Sequence, residues 1–293
     1  MFELIGVPPQ ALFGQLLLGL INGAFYALLS LGLAVIFGLM NVINFTHGAQ
    51  FMMGAFAAWL LLGLLDVPFW ASLVLAPLIV GLFGVIIERL LLKRIYHLDH
   101  LYGFLLTFGM ALIIEGLFQW KWGSSGAPYP APITGGTDLG FMIMPTYRLF
   151  VVVAALVICL ATWYGIERTR LGAYLRAATE NPTLVRAFGI NVPRLITLTY
   201  GLGVALAALA GVLAAPIQQV SALMGTNLVL VVFAVVVIGG MGSIMGSIVT
   251  GFGLGLIEGL TKVYYPPASN TVIFVVMALV LLVKPAGLFG QTK

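Results

Sequence analysis

Charge is what this sequence has least of. Only 8% of its 293 residues are Asp, Glu, Lys or Arg, against about 25% in soluble globular domains. So few charges cannot keep a water-exposed surface of this size from associating through its apolar area. A water-soluble enzyme or binding module is thereby excluded. Cysteine is nearly absent as well. The single Cys159 can form no internal disulfide, lies in an apolar run and reads as a small core residue. Phosphate-binding chemistry is missing too, because no Gly is followed by Lys, as G-x-x-x-x-G-K-[ST] requires. The three histidines, His47, His97 and His100, are not clustered as a metal or nucleophilic site needs. G-x-S-x-G and H-E-x-x-H are both absent, so the residues point away from an enzyme and supply no metal or cofactor site. A basic face with interleaved aromatics, as nucleic acid demands, is also lacking. No Lys or Arg precedes Arg89, so the start lacks the positive region of a secretory signal and is expected to remain as a span.

Apolar length is what the sequence has in abundance. The hydrophobic fraction is 61% and the mean hydropathy is +1.14. About 20 apolar residues cross a hydrocarbon core of roughly 30 Å. Stretches of that order fall near Leu12–Leu39, His47–Leu65, Phe69–Leu92, Leu101–Phe118, Arg148–Ile166, Leu195–Pro216, Leu228–Met241, Gly246–Thr261 and Thr271–Val283. Within lipid each must be helical to satisfy its backbone. The expected fold is all-α: a polytopic transmembrane bundle of eight or nine spans, some broken or re-entrant, forming one domain over residues 1–293.

The few charges then orient the bundle. Arg89, Lys93 and Arg94 share one connection; Arg168, Arg170, Arg176, Arg186 and Arg194 share another, two spans later. Both loops face one side, and the positive-inside rule makes it the cytoplasm. Residues 120–147, rich in Gly and Pro, are then external. Lys284 and Lys293 place the C-terminus inside, and the acidic, Arg-free start lies outside.

Four features interrupt the apolar pattern. Residues 166–195 read as two short helices joined near Glu180-Asn181, with Leu171, Leu175, Ala178 and Val185 on one face. Asn181 would cap the second helix, Pro182 open its first turn and Gly189 close it. This segment is either a topology anchor or a docking surface, and a structured thirty-residue hairpin favours docking. The polar run Asn41–Gly48 reads either as a turn at the membrane interface, with Thr46 capping the next helix, or as part of a pathway or its gate. The glycines from Gly239 to Gly246, continuing through Gly251, Gly253 and Gly255, suit close helix approach or a helix break that turns backbone towards a substrate. Glu88 is expected at the interface beside Arg89. Glu258 pairs with Lys262 at the external surface, and Glu115 reaches external headgroups. With no acid at mid-depth, proton-driven transport is disfavoured.

These residues also carry a resemblance. Ala34–Ala55 with Phe37-Gly38, Ile43-Asn44-Phe45 and His47-Gly48; Leu105–Gly109 through Trp122-Gly123; Gly172–Ala177 through Asn181, Ala187, Gly189–Asn191 and Ala210-Gly211; and Gly239–Gly246 resemble, in order, the motif blocks of branched-chain amino acid ABC permeases, in particular the smaller permease subunit of the high-affinity systems. The resemblance implies a second homologous permease, two cytoplasmic ATPases that bind ATP and Mg in place of this chain, and a periplasmic amino-acid-binding protein, in a bacterial inner membrane. It implies that Gly172, Arg176, Ala177, Asn181, Gly189 and Ile190 belong to the helices that seat on the ATPases. It further implies that Asn44, His47, Gly48, Gly239, Gly240, Gly242 and Gly246 line or shape the pathway. The chain departs from the coupling motif of ABC importers at large: Arg176-Ala177-Ala178 stands for Glu-Ala-Ala, and the next glycine is Gly189. Permeases for urea and short amides share these blocks. A self-sufficient secondary transporter or channel is the competing class.

Overall fold

A computed structural model describes residues 8–40 and 44–290. Asn41, Val42 and Ile43 of the polar run, the N-terminal start and Lys293 lie outside the described residues. Eleven α-helices occur among the described residues: α1 (Pro9–Met40), α2 (Thr46–Leu65), α3 (Phe69–Leu90), α4 (His100–Trp122), α5 (Thr146–Glu167), α6 (Arg170–Glu180), α7 (Pro182–Ala187), α8 (Val192–Ala214), α9 (Thr226–Gly239), α10 (Ile244–Tyr264) and α11 (Val272–Val283). The chain is a polytopic helical membrane protein. Seven helices (α1, α2, α3, α4, α5, α8 and α10) are long and apolar enough to cross a bilayer. The remaining two hydrophobic stretches are α9 and α11, of 14 and 12 residues. At 1.5 Å per residue they reach only about 21 and 18 Å, short of the roughly 30 Å core.

Helices α1 and α8 occupy the centre and α4 and α5 the periphery. Glycines explain the closest contacts. In the α1–α10 pair, a Cβ placed on Gly255 would lie 2.3 Å from the Gly19 carbonyl oxygen, and one on Gly251 would lie 2.5 Å from the Ala27 Cα. The two backbones touch along a four-residue spacing, as small-xxx-small packing allows. Gly54 and Gly211 do the same between α2 and α8, facing Ala208 and Phe51.

One end of the bundle carries the arginine-rich segments and is called the basic end below. There α9 breaks from α10. Gly240 and Gly242 take φ of 101° and 87°, and the Ser243 hydroxyl accepts from the Gly246 amide at 3.1 Å. The amides of Leu288 and Phe289 cap the Ile238 and Gly239 carbonyls at 2.8 and 3.1 Å. The opposite end carries an aromatic cluster of Phe69, Trp70, Tyr129, Tyr147 and Phe150, the interfacial belt expected of Trp and Tyr. Its connection after α4 holds a two-stranded antiparallel hairpin, Gly136–Asp138 with Ile143–Pro145, where the sequence suggests only an irregular loop. An Ala127–Val220 bridge ties that connection to the segment following α8.

Candidate functional site

Two groups of residues stand out, at different depths. The first surrounds the start of α2. This helix begins well inside the bundle: Thr46 Oγ1 donates to the Thr107 carbonyl at 2.8 Å, and Phe45 N–H donates to Thr107 Oγ1 at 3.2 Å. Thr107 lies about 10 Å along α4 at 1.5 Å per residue. Thr46 therefore does not cap α2, because its hydroxyl is drawn sideways to α4. Gly32 faces both the His47 ring and the Gly203 carbonyl, and Gly203 lies about 16 Å into α8, near its middle. The described part of the polar run, Asn44 to Gly48, thus sits at mid-depth and not at an interfacial turn.

Asn44, Thr46, His47 and Gln50 are all buried there. Asn44 Nδ2 donates to Gln50 Oε1 at 3.1 Å, and Gln50 Nε2 donates to the Tyr200 hydroxyl at 3.3 Å. His47 Nε2 donates to the Leu29 carbonyl at 2.9 Å. Asn44 Oδ1 and His47 Nδ1 close no hydrogen bond of good geometry, although Tyr200 and Gln50 are near neighbours. A buried amide–imidazole–phenol network so far from water is costly unless it fixes a specific arrangement. Gly48 completes the group. A Cβ on Gly225, just before α9, would meet the Gly48 carbonyl at 2.0 Å. The starts of α2 and α9 therefore meet at this level.

The second group is the α6–α7 hairpin at the basic end. Asn181 Oδ1 accepts from the Leu184 amide at 2.9 Å, Pro182 opens α7, and Gly189 takes a φ of 80°, as the sequence leads one to expect. Leu175, Ala178 and Val185 pack inward, whereas Leu171 is 45% exposed and leaves the inward set. Gly172 is required at the α5–α6 turn, since a Cβ there would overlap the Ile166 carbonyl oxygen at 1.5 Å. Arg176 Nη1 pairs with Glu167 at 3.2 Å. Ala177, Asn181 and Ile190 line an open groove of about 490 Å³ together with Leu184 and Phe188. Phe188, a residue the sequence reading passes over, is 77% exposed and Leu184 54%. Large apolar side chains in a basic, membrane-flanking segment mark an interaction surface.

The glycine run belongs with this second group. Gly242 lines a small cavity of about 90 Å³ with Gly38, Gly172 and Arg176. Gly239 packs on Gly246, and Gly240 on Gly290. Along α1, Gly38 lies about 9 Å beyond Gly32. The structure therefore does not place Gly239, Gly240, Gly242 and Gly246 beside Asn44 and His47. Gly242 forms a seam between the hairpin and α1, while Gly239 and Gly246 join α9 to α10 and Gly240 meets the segment after α11.

The acids also depart from the sequence reading. Glu88 is 1% exposed, accepting from Tyr96 Oη at 2.8 Å and Thr197 Oγ1 at 2.7 Å. Burial and the Glu88 contact raise the Tyr96 hydroxyl well above its ordinary pKa, so it remains a donor. Glu258 is 4% exposed; Asn22 at 3.2 Å and Tyr26 at 2.7 Å donate to it, with Lys262 alongside. Glu115 turns to the Thr226 hydroxyl, which donates to it at 2.5 Å. Helical side chains lean towards their helix N-terminus, which carries Glu115 away from the nearer headgroups.

A multi-span helical bundle with a polar step at mid-depth and an exposed hairpin beyond the membrane has the form of a membrane permease. The comparisons with known proteins agree. Residues 15–282 match the family described as the permease component of branched-chain amino acid transport systems, and the chain belongs to that family. It is 28% identical over 294 aligned residues to the high-affinity branched-chain amino acid transport system permease LivH of Salmonella typhimurium, covering 95% of this chain and 96% of the relative. It is 27% identical to BraD of Pseudomonas aeruginosa over the same shares. A shorter match, 33% over 138 residues and 42% of each chain, is to the ribose import permease RbsC of Escherichia coli.

Proposed function

We propose that this chain is the membrane-spanning permease subunit of an ATP-binding-cassette importer for branched-chain or related amino acids. The observation that carries the reading is the α6–α7 groove, with Phe188 and Leu184 exposed on a hairpin at the basic end of a family permease. The positive-inside rule turns that end to the cytoplasm in a bacterial inner membrane, with the N-terminus outside and the C-terminus inside. The hairpin is then the seat of cytoplasmic ATPases, which hold ATP and Mg; this chain performs no catalysis itself. A second homologous permease completes the pathway, and a periplasmic amino-acid-binding protein delivers the substrate. Motion of the ATPases is passed through Gly172 and Arg176 to the Gly242 seam, and so to α1, α9 and α10. The starts of α2 and α9, with Asn44, His47 and Gly48, shape the pathway. Each state of such a bundle is favoured by the ligand that binds it better.

The test is purification of the tagged chain in mild detergent, followed by uptake in proteoliposomes. An ATPase and a second permease should co-elute. Phe188→Ala should weaken ATPase seating by about 2 kcal/mol, roughly 30-fold in the docking equilibrium, without loss of the folded permease. A chain that elutes without an ATPase and transports alone would refute the reading in favour of a secondary transporter.

A further inference from the structure

We infer that Glu115, held by Thr226, is a recognition point for the ammonium group of the transported amino acid, on a face of the chain that lines the pathway. This rests on the importer reading above and deepens it.

A carboxylate at this depth is costly against lipid. Glu115 lies about 10 Å short of the Trp122 end of α4, with its side chain leaning back towards the bundle's middle. Thr226 opens α9, and the adjoining Gly225 touches Gly48, so the pair lies near mid-depth. Glu115 is half-exposed, while Thr226 and Asn227 beside it are exposed. The flanking α4 surface is apolar, with Leu112, Ile113 and Leu117 54%, 63% and 58% exposed.

The backbone points the same way. Gly225 precedes α9 without a side-chain cap, and Thr226 and Asn227 at its start are exposed. At membrane depth such backbone is tolerated only against protein or a water-filled cavity. An ionisable group there marks a substrate or ion route.

The chemistry selects the ligand. Among the described residues the ion pairs are Arg176–Glu167 and Lys262–Glu258, so Glu115 has a hydrogen-bond donor in Thr226 but no cation. A branched-chain amino acid brings a cationic ammonium beside an apolar side chain. Glu115 with Thr226 offers a match for the first, and exposed Leu112, one turn before Glu115 on α4, for the second. A carboxylate on an apolar wall would suit neither a sugar nor an anion as well, since only a cation offsets its desolvation.

The experiment uses the assembled importer in proteoliposomes with its binding protein, and measures leucine uptake for wild type, Glu115→Gln, Glu115→Asp and Thr226→Val. Glu115→Gln should co-purify with its partners as wild type does, yet lose about 10-fold or more of its uptake, the scale of one charge-assisted hydrogen bond. Glu115→Asp should recover most of the loss, and Thr226→Val should lie between. Uptake by Glu115→Gln within twofold of wild type would overturn the inference. Loss of the second permease from Glu115→Gln would also overturn it, showing that the carboxylate pairs across the subunit interface instead. Absence of amino-acid uptake by the wild-type assembly would instead count against the importer reading.

Discussion

Glu88 shows what a single side chain holds together. It gathers the Tyr96 hydroxyl from the connection before α4 and the Thr197 hydroxyl from α8, so three segments meet on one carboxylate. Glu88→Ala would orphan two donors and leave a void, at a cost of about 2–4 kcal/mol; Glu88→Gln keeps one acceptor and should cost about half as much. Thermal unfolding of the detergent-solubilised protein should order wild type, Gln and Ala in that sequence. The sequence could not show this. Glu88 adjoins Arg89, but neighbours on a helix point about 100° apart, so a charged neighbour says nothing of which face an acid takes. The same holds for Glu258, whose donors Asn22 and Tyr26 stand 236 and 232 residues away. Asn181 and Gly189 were legible because caps are local, set by bonds within three or four residues.

Among the elements, long apolar helices declare themselves through composition, and every one of the nine hydrophobic stretches is a helix here. Less legible is how far each reaches. α9 reads as a span but starts at mid-depth, because Gly225 abuts Gly48, a tertiary contact with no local signal. Glycine spacing hints at close packing without saying which glycines face a partner. On α10, Gly255 lies against Gly19 and Gly23, while Gly253 has nothing within 4 Å of an added Cβ. Gly255→Leu should therefore force α1 and α10 apart, losing several kcal/mol, on the order of the largest overpacking penalties. Gly253→Leu should leave stability within about 0.5 kcal/mol. Size-exclusion profiles and melting temperatures of the two variants give the comparison.

For the molecule as a whole, the orientation proposed above rests on where the 13 basic residues fall. Cys159 is the only cysteine and is fully buried, which leaves a quiet background for labelling. A cysteine placed at Leu184 should react with impermeant maleimide only in inverted vesicles, and one at Asp138 only in intact cells. The opposite pattern would turn the bundle over. At this scale the sequence offers charge placement, and its arginine-rich loops are the hairpin and the α3–α4 connection. What sequence could not supply is the division of site residues into two levels, a mid-depth step around His47 and a seam around Gly242. That division comes from which turn of α1 each group meets, Gly32 or Gly38.

The closure of α9 by Leu288 and Phe289 also bears on how the protein is made. A 14-residue helix emerging from a translocon is too short to settle across a bilayer unaided, and its end carbonyls find their partners some fifty residues later in synthesis. A nascent chain that has not yet reached Leu288 therefore lacks the amides that close α9, and the Ile238 and Gly239 carbonyls wait for them.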